Sequence, residues 1–306
     1  MGLVFPPGMH VFERGWLSSN NILIVGSEQT VLVDSGYCTH SAQTLALVQS
    51  VLGGRPLNLL LNTHLHSDHC GGNAALQGQY PALQTWIPPG NAPEVARWDE
   101  DALTYAATGQ QCPRFGFQGL LSPGDVVRID QQEWQVHGAG GHDPHSIVLF
   151  EPRSGVLMSA DALWEAGFGV VFPELEGVSA FNEVAATLDL IESMRPSLVI
   201  PGHGRPFGDV QKSLEVARNR LDYFILHPAK HQQHAAKVLL KFKLLELQTC
   251  SMTELLGWVS GTPYLGRLQR EQYPDLSAAD MVDVLIANLV RSGAATRDGE
   301  MIGNKG

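Results

Sequence analysis

The first two thirds of the chain alternate short apolar runs with turn residues, which predicts a domain rich in β-sheet. The runs NILIVG at 21–26 and TVLVD at 30–34 predict the two strands of a hairpin, because only three residues separate them. The leucine-rich run Leu57–Leu61, in which Asn58 is the one polar residue, is typical of a strand buried on both faces. Further strands are predicted at Leu83–Ile87, Val126–Ile129, Trp134–His137, Ile147–Phe150, Val156–Met158 and Leu198–Ile200.

Segments between these runs show helical periodicity and predict helices that cover the sheets. Apolar residues recur at helical spacing over Ser41–Leu52, and the pair Gly53-Gly54 follows as a helix end signal. Helices are also predicted over Ala92–Thr108 and Ser179–Met194. Strands and helices on mostly short connections predict a layered α/β domain over residues 1–215.

From about residue 210 onward the pattern becomes almost entirely helical. Leu214–Leu247 is compatible with helix throughout and is interrupted only by Pro228. Shorter helices are predicted at Ser251–Val259, Leu265–Glu271 and Ser277–Arg291, followed by a hairpin over Ala294–Ile302 that turns at Asp298-Gly299. Residues 216–306 therefore form a smaller, mostly helical and winged-helix-like domain in this prediction, and its helices are our candidate surface for a homodimer.

Composition and charge narrow the classes of function. The chain has 306 residues, of which 44% are hydrophobic and 17% charged, so it predicts a folded core rather than disorder. The net charge of −11 is uneven, because residues 1–215 carry 9 Lys and Arg against 22 Asp and Glu. The remaining residues carry 11 against 9. An acidic body repels phosphate backbones, so a nucleic acid is not expected as the partner.

The sequence also predicts a compartment. It contains no apolar run of 18 residues, and its start lacks the basic and apolar segments of a secretion signal, so no membrane span is expected. The four cysteines (Cys38, Cys70, Cys112 and Cys250) are scattered and form no CxxC pair. They are interpreted as free thiols of a reducing cytoplasm.

The segment THLHSDHCGG at 63–72 concentrates metal-ligating side chains. Imidazole nitrogens and carboxylates are the ligands that zinc and similar cations prefer. His64 and His66 are two positions apart, so on an extended segment they project to the same side and can hold one ion. Asp68 and His69 stand where the chain turns beside Gly71-Gly72, and can serve a second ion close by.

Three downstream positions repeat the same arrangement of a His or Asp at a strand end. Gly141-His142 lies between two predicted strands, Asp161 follows the strand Val156–Met158, and Gly202-His203 follows the strand Leu198–Ile200. Strand ends next to glycine turns are common places for functional sites. The order H-x-H-x-D-H, H, D, H is difficult to obtain by chance and predicts a metal site.

With these motifs the chain resembles the metallo-β-lactamase superfamily, over roughly residues 10–215, and in particular its glyoxalase II-like branch. The resemblance implies a four-layer αββα sandwich with a dinuclear metal site along one edge. It implies that His64, His66 and His142 bind the first ion, that Asp68, His69 and His203 bind the second, and that Asp161 bridges both. Asp34, which ends the run TVLVD, matches an early aspartate of the family that orients a metal-binding histidine.

The chain departs from the family pattern at two places. Ala160 stands where the family has Gly before the bridging aspartate, and GHDPHS at 141–146 stands where it has Gly-His-Thr-Pro-Gly-Ser. The extra polar side chains, His145 among them, are expected near the metals.

The ligand set predicts the chemistry. Two divalent ions about 3.5–4 Å apart share a water, lower its pKa and polarise a carbonyl or phosphoryl oxygen, so that a metal-bridged hydroxide attacks. Asp68 and Asp161 are the candidate catalytic groups that accept or relay a proton. Zinc is the default metal, and iron and manganese accept the same ligands.

Aromatic residues near the site predict the substrate. Trp164, Phe168 and Phe172 follow Asp161 directly, and with His145 they are the candidate substrate-binding residues. An apolar pocket favours a small ester or thioester, so we expect a thioesterase-like hydrolase. The alternatives are an endoribonuclease, a lactonase or β-lactamase-like enzyme, and a non-catalytic ligand-binding regulator.

Overall fold

The computed structural model describes residues 4–306 and divides the chain into two compact units. The first unit contains the residues up to Leu103 together with Gln111–Asp222. The second contains Thr104–Gln110 together with Tyr223–Gly306. Compared with the predicted division after residue 215, the second unit begins later and also includes a short segment from the middle of the chain.

Two mixed sheets form the centre of the first unit. The six-stranded sheet has its strands in chain order: β1 Met9–Phe12, β2 Asn21–Val25, β3 Thr30–Val33, β4 Leu59–Leu61, β5 Gln84–Ile87 and β6 Gly119–Leu120. The five-stranded sheet consists of β7 Val126–Ile129, β8 Gln132–Gly138, β9 Ile147–Glu151, β10 Val156–Ala160 and β11 Leu198–Pro201. The predicted hairpin is confirmed, since Ile22 pairs with Val33 in antiparallel register.

Successive hydrophobic side chains along the strands point to opposite faces of the six-stranded sheet and produce two hydrophobic layers. Val31 and Leu59 belong to a buried cluster that also contains residues of the five-stranded sheet, such as Leu149 and Met158, so this cluster lies between the sheets. Leu32 and Leu60 point the other way and join a cluster with side chains of the helices that cover the sheet. The six-stranded sheet is therefore buried on both faces, which explains its nearly unbroken apolar runs.

Two helices predicted in the first unit are confirmed, over Ser41–Leu52 and Phe181–Met194, one predicted helix is wrong, and three short helices were not predicted. They are α1 Ser41–Leu52, α2 Ser67–Cys70, α3 Asn73–Gln79, α4 Ala92–Arg97, α6 Phe172–Leu175, α7 Phe181–Met194 and α8 Val210–Leu226, within which the division of the units falls. The single helix predicted over Ala92–Thr108 is wrong. It ends at Trp98 (φ 57°) and resumes only as α5 Tyr105–Thr108, after Thr104 (φ 66°), because both residues have left-handed backbone.

The second unit is mostly helical with a small sheet. It contains α5 and the helices α9 Pro228–Leu247, α10 Met252–Ser260, α11 Pro263–Gln272 and α12 Ala278–Arg291. Its three strands, β12 Thr249–Ser251, β13 Ala295–Asp298 and β14 Met301–Asn304, pair in the order β12-β14-β13. The predicted terminal hairpin is confirmed by the antiparallel pairing of Asp298 with Met301. Its likeness to a winged helix stays a prediction.

Two further observations concern the cysteines and the helices. All four cysteines lie in the described part of the chain, and no disulfide joins them there. Among residues 4–306, none of the helices combines the length and the apolar character that crossing a membrane requires.

Candidate metal centre

Three histidines converge at the end of β4. The chain leaves β4 at Leu61, and an extended segment brings His64 and His66 to one side, as the two-residue spacing predicts. His142 follows β8 in the neighbouring sheet. His66 Nδ1 lies 3.1 Å from His64 Nε2 and 2.8 Å from His142 Nε2. Three ring nitrogens thus face one another and form the first group.

A second group lies beside the first and combines two histidines with two carboxylates. The single turn of α2 presents Asp68 and His69, while Asp161 follows β10 and His203 follows β11. The four donor atoms lie within 4.8 Å of one another. His203 Nε2 lies 3.0 Å from Asp68 Oδ2, and His69 Nε2 lies 3.4 Å from Asp161 Oδ1.

Asp161 stands between the two groups. Its Oδ1 faces His69 and His203, at 3.4 Å and 3.9 Å from their Nε2 atoms. Its Oδ2 lies 3.4 Å from His142 Nε2 in the first group. One carboxylate therefore offers one oxygen to each group, which is the geometry that a bridging ligand needs.

Hydrogen bonds on the outer side of the rings fix which nitrogen faces inward. His142 Nδ1 donates to the carbonyl of Val170 at 2.6 Å, and His69 Nδ1 donates to Asp34 Oδ2 at 2.8 Å. Asp34 also accepts from the backbone N–H of Thr63 at 2.9 Å and from its hydroxyl at 2.8 Å. In His142 the inner Nε2 is left as a lone-pair donor, and in His69 the inner Nε2 would become one when a cation replaces its proton.

Burial and mutual charge set the protonation of these groups. Burial and then the neighbouring His66 lower the pKa of His142 to about 4. Burial and the neighbouring histidines also lower the pKa of His64 well below its usual 6.5. Both rings are therefore neutral at pH 7, the form that binds a metal.

The second group contains charged side chains. Burial alone would raise the pKa of Asp161, but the charges of His69 and His203 keep it well below 3.8. Burial alone would lower the pKa of His69, but the charges of Asp161 and Asp34 raise it well above 6.5. Without a cation, a proton on His69 balances the carboxylates, and a divalent ion would take the place of that proton.

A buried nitrogen without a hydrogen bond supports the replacement of the His69 proton by a divalent ion. His69 Nε2 is fully buried and makes no hydrogen bond within the part of the chain that the structure describes. A buried nitrogen that faces a carboxylate at 3.4 Å without forming a hydrogen bond carries a free-energy cost that a metal bond would remove. The donor chemistry, the inward lone pairs and this atom all fit divalent cations.

Tight backbone turns bring the groups together. Ala160 has a left-handed φ of 46°, and the register between β10 and β11 shifts next to it. This turn aims the following Asp161 toward the histidines. A side chain at Gly202 would overlap Asp161 Oδ1, so the close approach of the chain before His203 requires glycine.

The candidate substrate-binding residues divide into two sets. Phe172 is half-buried and contacts the first group edge-on, with its centroid 4.8 Å from that of His66. Trp164 is also half-buried, and its indole N–H donates to Asp161 Oδ1 at 3.2 Å. Phe168 is only 2% exposed and packs against the Arg220 guanidinium, so it supports the loop and has almost no surface for a ligand.

The polar departures from the family pattern lie close to the first group. Asp143 Oδ2 is 3.7 Å from His66 Nε2, on the outer side of that ring. His145 donates its backbone N–H to Asp143 Oδ1 at 2.7 Å, and its ring packs directly against Gly90. His145 is half-buried at the edge of the first group.

Sequence reasoning missed one aromatic residue at the site. Trp16 lies in the connection between β1 and β2, and its ring stacks on His203 with a centroid distance of 5.4 Å and an interplanar angle of 10°. No periodic pattern marks a single tryptophan in a loop. Only the polar run that follows it, SSNN at 18–21, hinted that this connection is structured.

Comparisons with known proteins place these features in a family. The model of the metallo-beta-lactamase superfamily matches residues 14–203. The human acyl-coenzyme A thioesterase MBLAC2 is 26% identical over 217 residues, which cover 64% of this chain and 77% of the relative. A hydroxyacylglutathione hydrolase of Dechloromonas aromatica is 30% identical over 172 residues, 56% of this chain and 52% of that protein.

A solved structure matches almost the whole chain. The metallo-beta-lactamase family protein TTHA1429 from Thermus thermophilus superposes with a TM-score of 0.58 and 18% identity, covering 98% of this chain and 99% of that one. This likeness shows the fold and confirms the predicted α/β sandwich with an added helical region.

Proposed function

The chain belongs to the metallo-beta-lactamase superfamily of hydrolases, and on that premise we propose that it cleaves a small thioester or ester with two bound divalent cations. The observation that carries the proposal is the position of Asp161, with one carboxylate oxygen turned to each group of donors. The relatives add support, because an acyl-coenzyme A thioesterase and a hydroxyacylglutathione hydrolase are both named for hydrolysis of an acyl compound.

The proposed roles follow from the donor sets. His64, His66 and His142 hold one cation, which we take to be zinc. Asp68, His69 and His203 hold the other, and Asp161 is shared. When bound, the pair of cations supplies a water of lowered pKa and polarises the carbonyl oxygen of the substrate.

The surrounding residues position these ligands and move protons. Asp34 and the carbonyl of Val170 hold the rings of His69 and His142 in the ligating tautomer. Asp68, 15% exposed and 3.0 Å from His203, is the carboxylate placed to accept or relay a proton at the edge of the site. No Ser or Cys nucleophile is required.

The test compares substrate classes on one zinc-loaded preparation. Acyl-coenzyme A and acylglutathione thioesters, a lactone, a β-lactam and single-stranded RNA are assayed with and without a chelator. We expect chelator-sensitive hydrolysis of the thioesters and little cleavage of RNA. RNA cleavage without thioester hydrolysis would move the protein to the endoribonuclease alternative, and turnover of none of the substrates would favour the ligand-binding regulator.

The metal assignment has its own test. Elemental analysis is expected to find about two ions per chain, and to show whether zinc, iron or manganese is present. His66→Ala and Asp161→Ala should each lose metal and activity while the circular dichroism spectrum stays unchanged. Full turnover in either variant would contradict the assigned roles.

A further inference from the structure

Two indole rings line the side of the centre that carries the second group. Trp16 is 51% exposed and stacks on the ring of His203. Trp164 meets both of them edge-on, with centroids 5.2 Å from Trp16 and 5.6 Å from His203. The two rings form a corner in direct contact with a proposed metal ligand. We refer to Trp16 and Trp164 as the tryptophan corner.

The loop that carries Trp16 is fixed to the site by its own backbone. Ser19 N–H donates to the carbonyl of Asp68 at 2.9 Å, and Asn20 N–H donates to the carbonyl of Gly202 at 2.6 Å. The Asn20 amide also donates to the carbonyl of Pro201 at 2.9 Å. The chain around Trp16 is thus anchored to two of the three segments that present the second group, those of Asp68 and His203, which places the ring reproducibly.

Trp164 is held in a similar way. Its backbone N–H donates to the carbonyl of Gly167 at 2.6 Å, which closes a narrow turn. Its indole N–H donates to Asp161 Oδ1. Because that bond uses the one polar atom of the side chain, the surface that Trp164 presents at the corner is apolar.

A half-exposed indole pair beside reacting atoms points to a hydrocarbon ligand. Apolar faces gain free energy by covering a methylene chain or an aryl ring and removing both from water. The thiol halves of acyl carriers contain amides and charged groups that need hydrogen-bond partners. The indole N–H of Trp164 is committed to Asp161, and the single N–H of Trp16 is too few donors for the amides and charges of a thiol carrier, so the corner suits the acyl half of a thioester.

We propose that the tryptophan corner is the acyl-binding wall of the site and makes the enzyme prefer hydrocarbon or aryl acyl groups over acetyl. This inference rests on the proposed thioester hydrolysis. It adds that the enzyme selects its substrate by the acyl group. Trp16 is the specificity-determining residue, because it is exposed and makes no bond to Asp161. Trp164 also positions Asp161.

The kinetic test varies the acyl group on a constant thiol. Acetyl-, butanoyl- and octanoyl-coenzyme A are compared on the zinc-loaded wild type and on Trp16→Ala. The ratio of octanoyl to acetyl kcat/KM should fall about tenfold in the variant, mainly through KM. Trp98→Ala is the matched control, because Trp98 packs on Phe115 at a centroid distance of 5.4 Å and its indole N–H donates to Glu100 Oε1 at 3.2 Å.

A binding test keeps the inference separate from catalysis. Octanoate, acetate and choline are titrated into the zinc-loaded protein, and tryptophan fluorescence is followed in the wild type, Trp16→Phe and Trp98→Phe. Octanoate should change the emission at concentrations at least about tenfold below those of acetate. Replacement of Trp16 should remove most of that change, whereas replacement of Trp98 should not.

The outcomes separate the two proposals. If the wild type hydrolyses neither a thioester nor an ester, the proposed function fails, and the octanoate titration still decides whether the corner binds an acyl chain. An unchanged acyl preference in Trp16→Ala, or octanoate binding no tighter than acetate, would overturn the acyl-binding wall. A fluorescence response to choline instead of octanoate would also overturn it and assign the corner to a cationic group.

Discussion

At the scale of single residues, the backbone before Asp161 shows what it costs to build the site. Ala160 has a φ of 46°. In this conformation its methyl group crowds the backbone, which costs roughly 1–2 kcal/mol of free energy. Glycine, which the resemblance to the family led us to expect here, would adopt this conformation without that crowding. The replacement of the family's glycine by Ala160 is therefore an energetic penalty placed next to Asp161.

This strain gives a prediction about stability. Ala160→Gly should raise the free energy of unfolding by about 0.5–1 kcal/mol, because relief of crowding exceeds the added chain entropy of glycine. Urea unfolding of the metal-free protein measures the change. Ala162→Gly, at a position where φ is not positive, is the control and should lower stability. A loss of stability in Ala160→Gly would contradict the assignment of strain.

Asp34 gives a prediction about metal binding. In Asp34→Asn, the oxygen can still accept from Thr63 N–H, but the amide NH₂ replaces the oxygen that accepts from His69 Nδ1. His69 must then accept at Nδ1 and carry its proton on Nε2, the atom that faces the second group. We expect metal affinity at this group to fall about 10–100-fold without unfolding.

Competition with a chromophoric chelator measures that affinity. Asp189→Asn is the matched control, since Asp189 is 68% exposed and pairs with Arg218 away from the donors. Equal affinity in Asp34→Asn and the wild type would show that Asp34 does not set the tautomer of His69.

The residues of the site were largely readable from sequence, and the reasons are local. His64, His66, Asp68 and His69 lie within one short segment, so their convergence needs only one strand end and one helical turn. Trp16 was not predictable, because its contact with His203 joins segments that are far apart in sequence and depends on the path of a loop. The burial of Phe168 was equally hidden, since exposed and buried aromatics look alike in a glycine-rich run.

At the scale of elements, helix α7 supports the turn that presents His142. Thr187 is 5% exposed, and its hydroxyl donates to the carbonyl of Gly140 at 2.8 Å. A side chain at Gly141 would press on the backbone of Val184, so helix and turn are in close contact. The position of one histidine thus depends on a helix that contributes no donor of its own.

Removal of that hydrogen bond is the prediction at this scale. Thr187→Val keeps the shape of the side chain but leaves the Gly140 carbonyl without its donor, so stability should fall by about 1–2 kcal/mol. Ser193→Ala on the exposed part of the same helix is the control and should stay within about 0.5 kcal/mol of the wild type. Chemical denaturation followed by circular dichroism distinguishes them, and equal stabilities would show that the bond contributes nothing.

Elements with a strong pattern were predicted closely, and the failures have physical causes. The helix α1 spans Ser41–Leu52 as predicted, because Gly53 adopts the left-handed conformation that ends it. The short strands β1, β6 and β12 were missed, since two to four residues carry too little pattern to identify a strand. The apolar periodicity over Ala92–Thr108 suggested one helix. Periodicity reports the spacing of apolar residues, and it does not show that Trp98 and Thr104 have left-handed backbone.

At the scale of the whole molecule, all the proposed ligands belong to the first unit. Metal binding should therefore stabilise that unit selectively, by about 2.7 kcal/mol for each bound ion when free metal is at 100 times its Kd. Calorimetry of the zinc-loaded protein should show a transition that a chelator moves to lower temperature. A thermal profile identical with and without chelator would contradict the metal centre.

The donors are also spread along the chain, from His64 to His203, and this spread has a consequence for a protein that is being made. A ribosome must synthesise the chain as far as His203 before the last proposed ligand exists, and β11 must then pair beside β10 to bring it into place. A nascent polypeptide that ends before His203 therefore lacks the assembled centre. Hydrolytic chemistry would start only when most of the first unit has been made and folded.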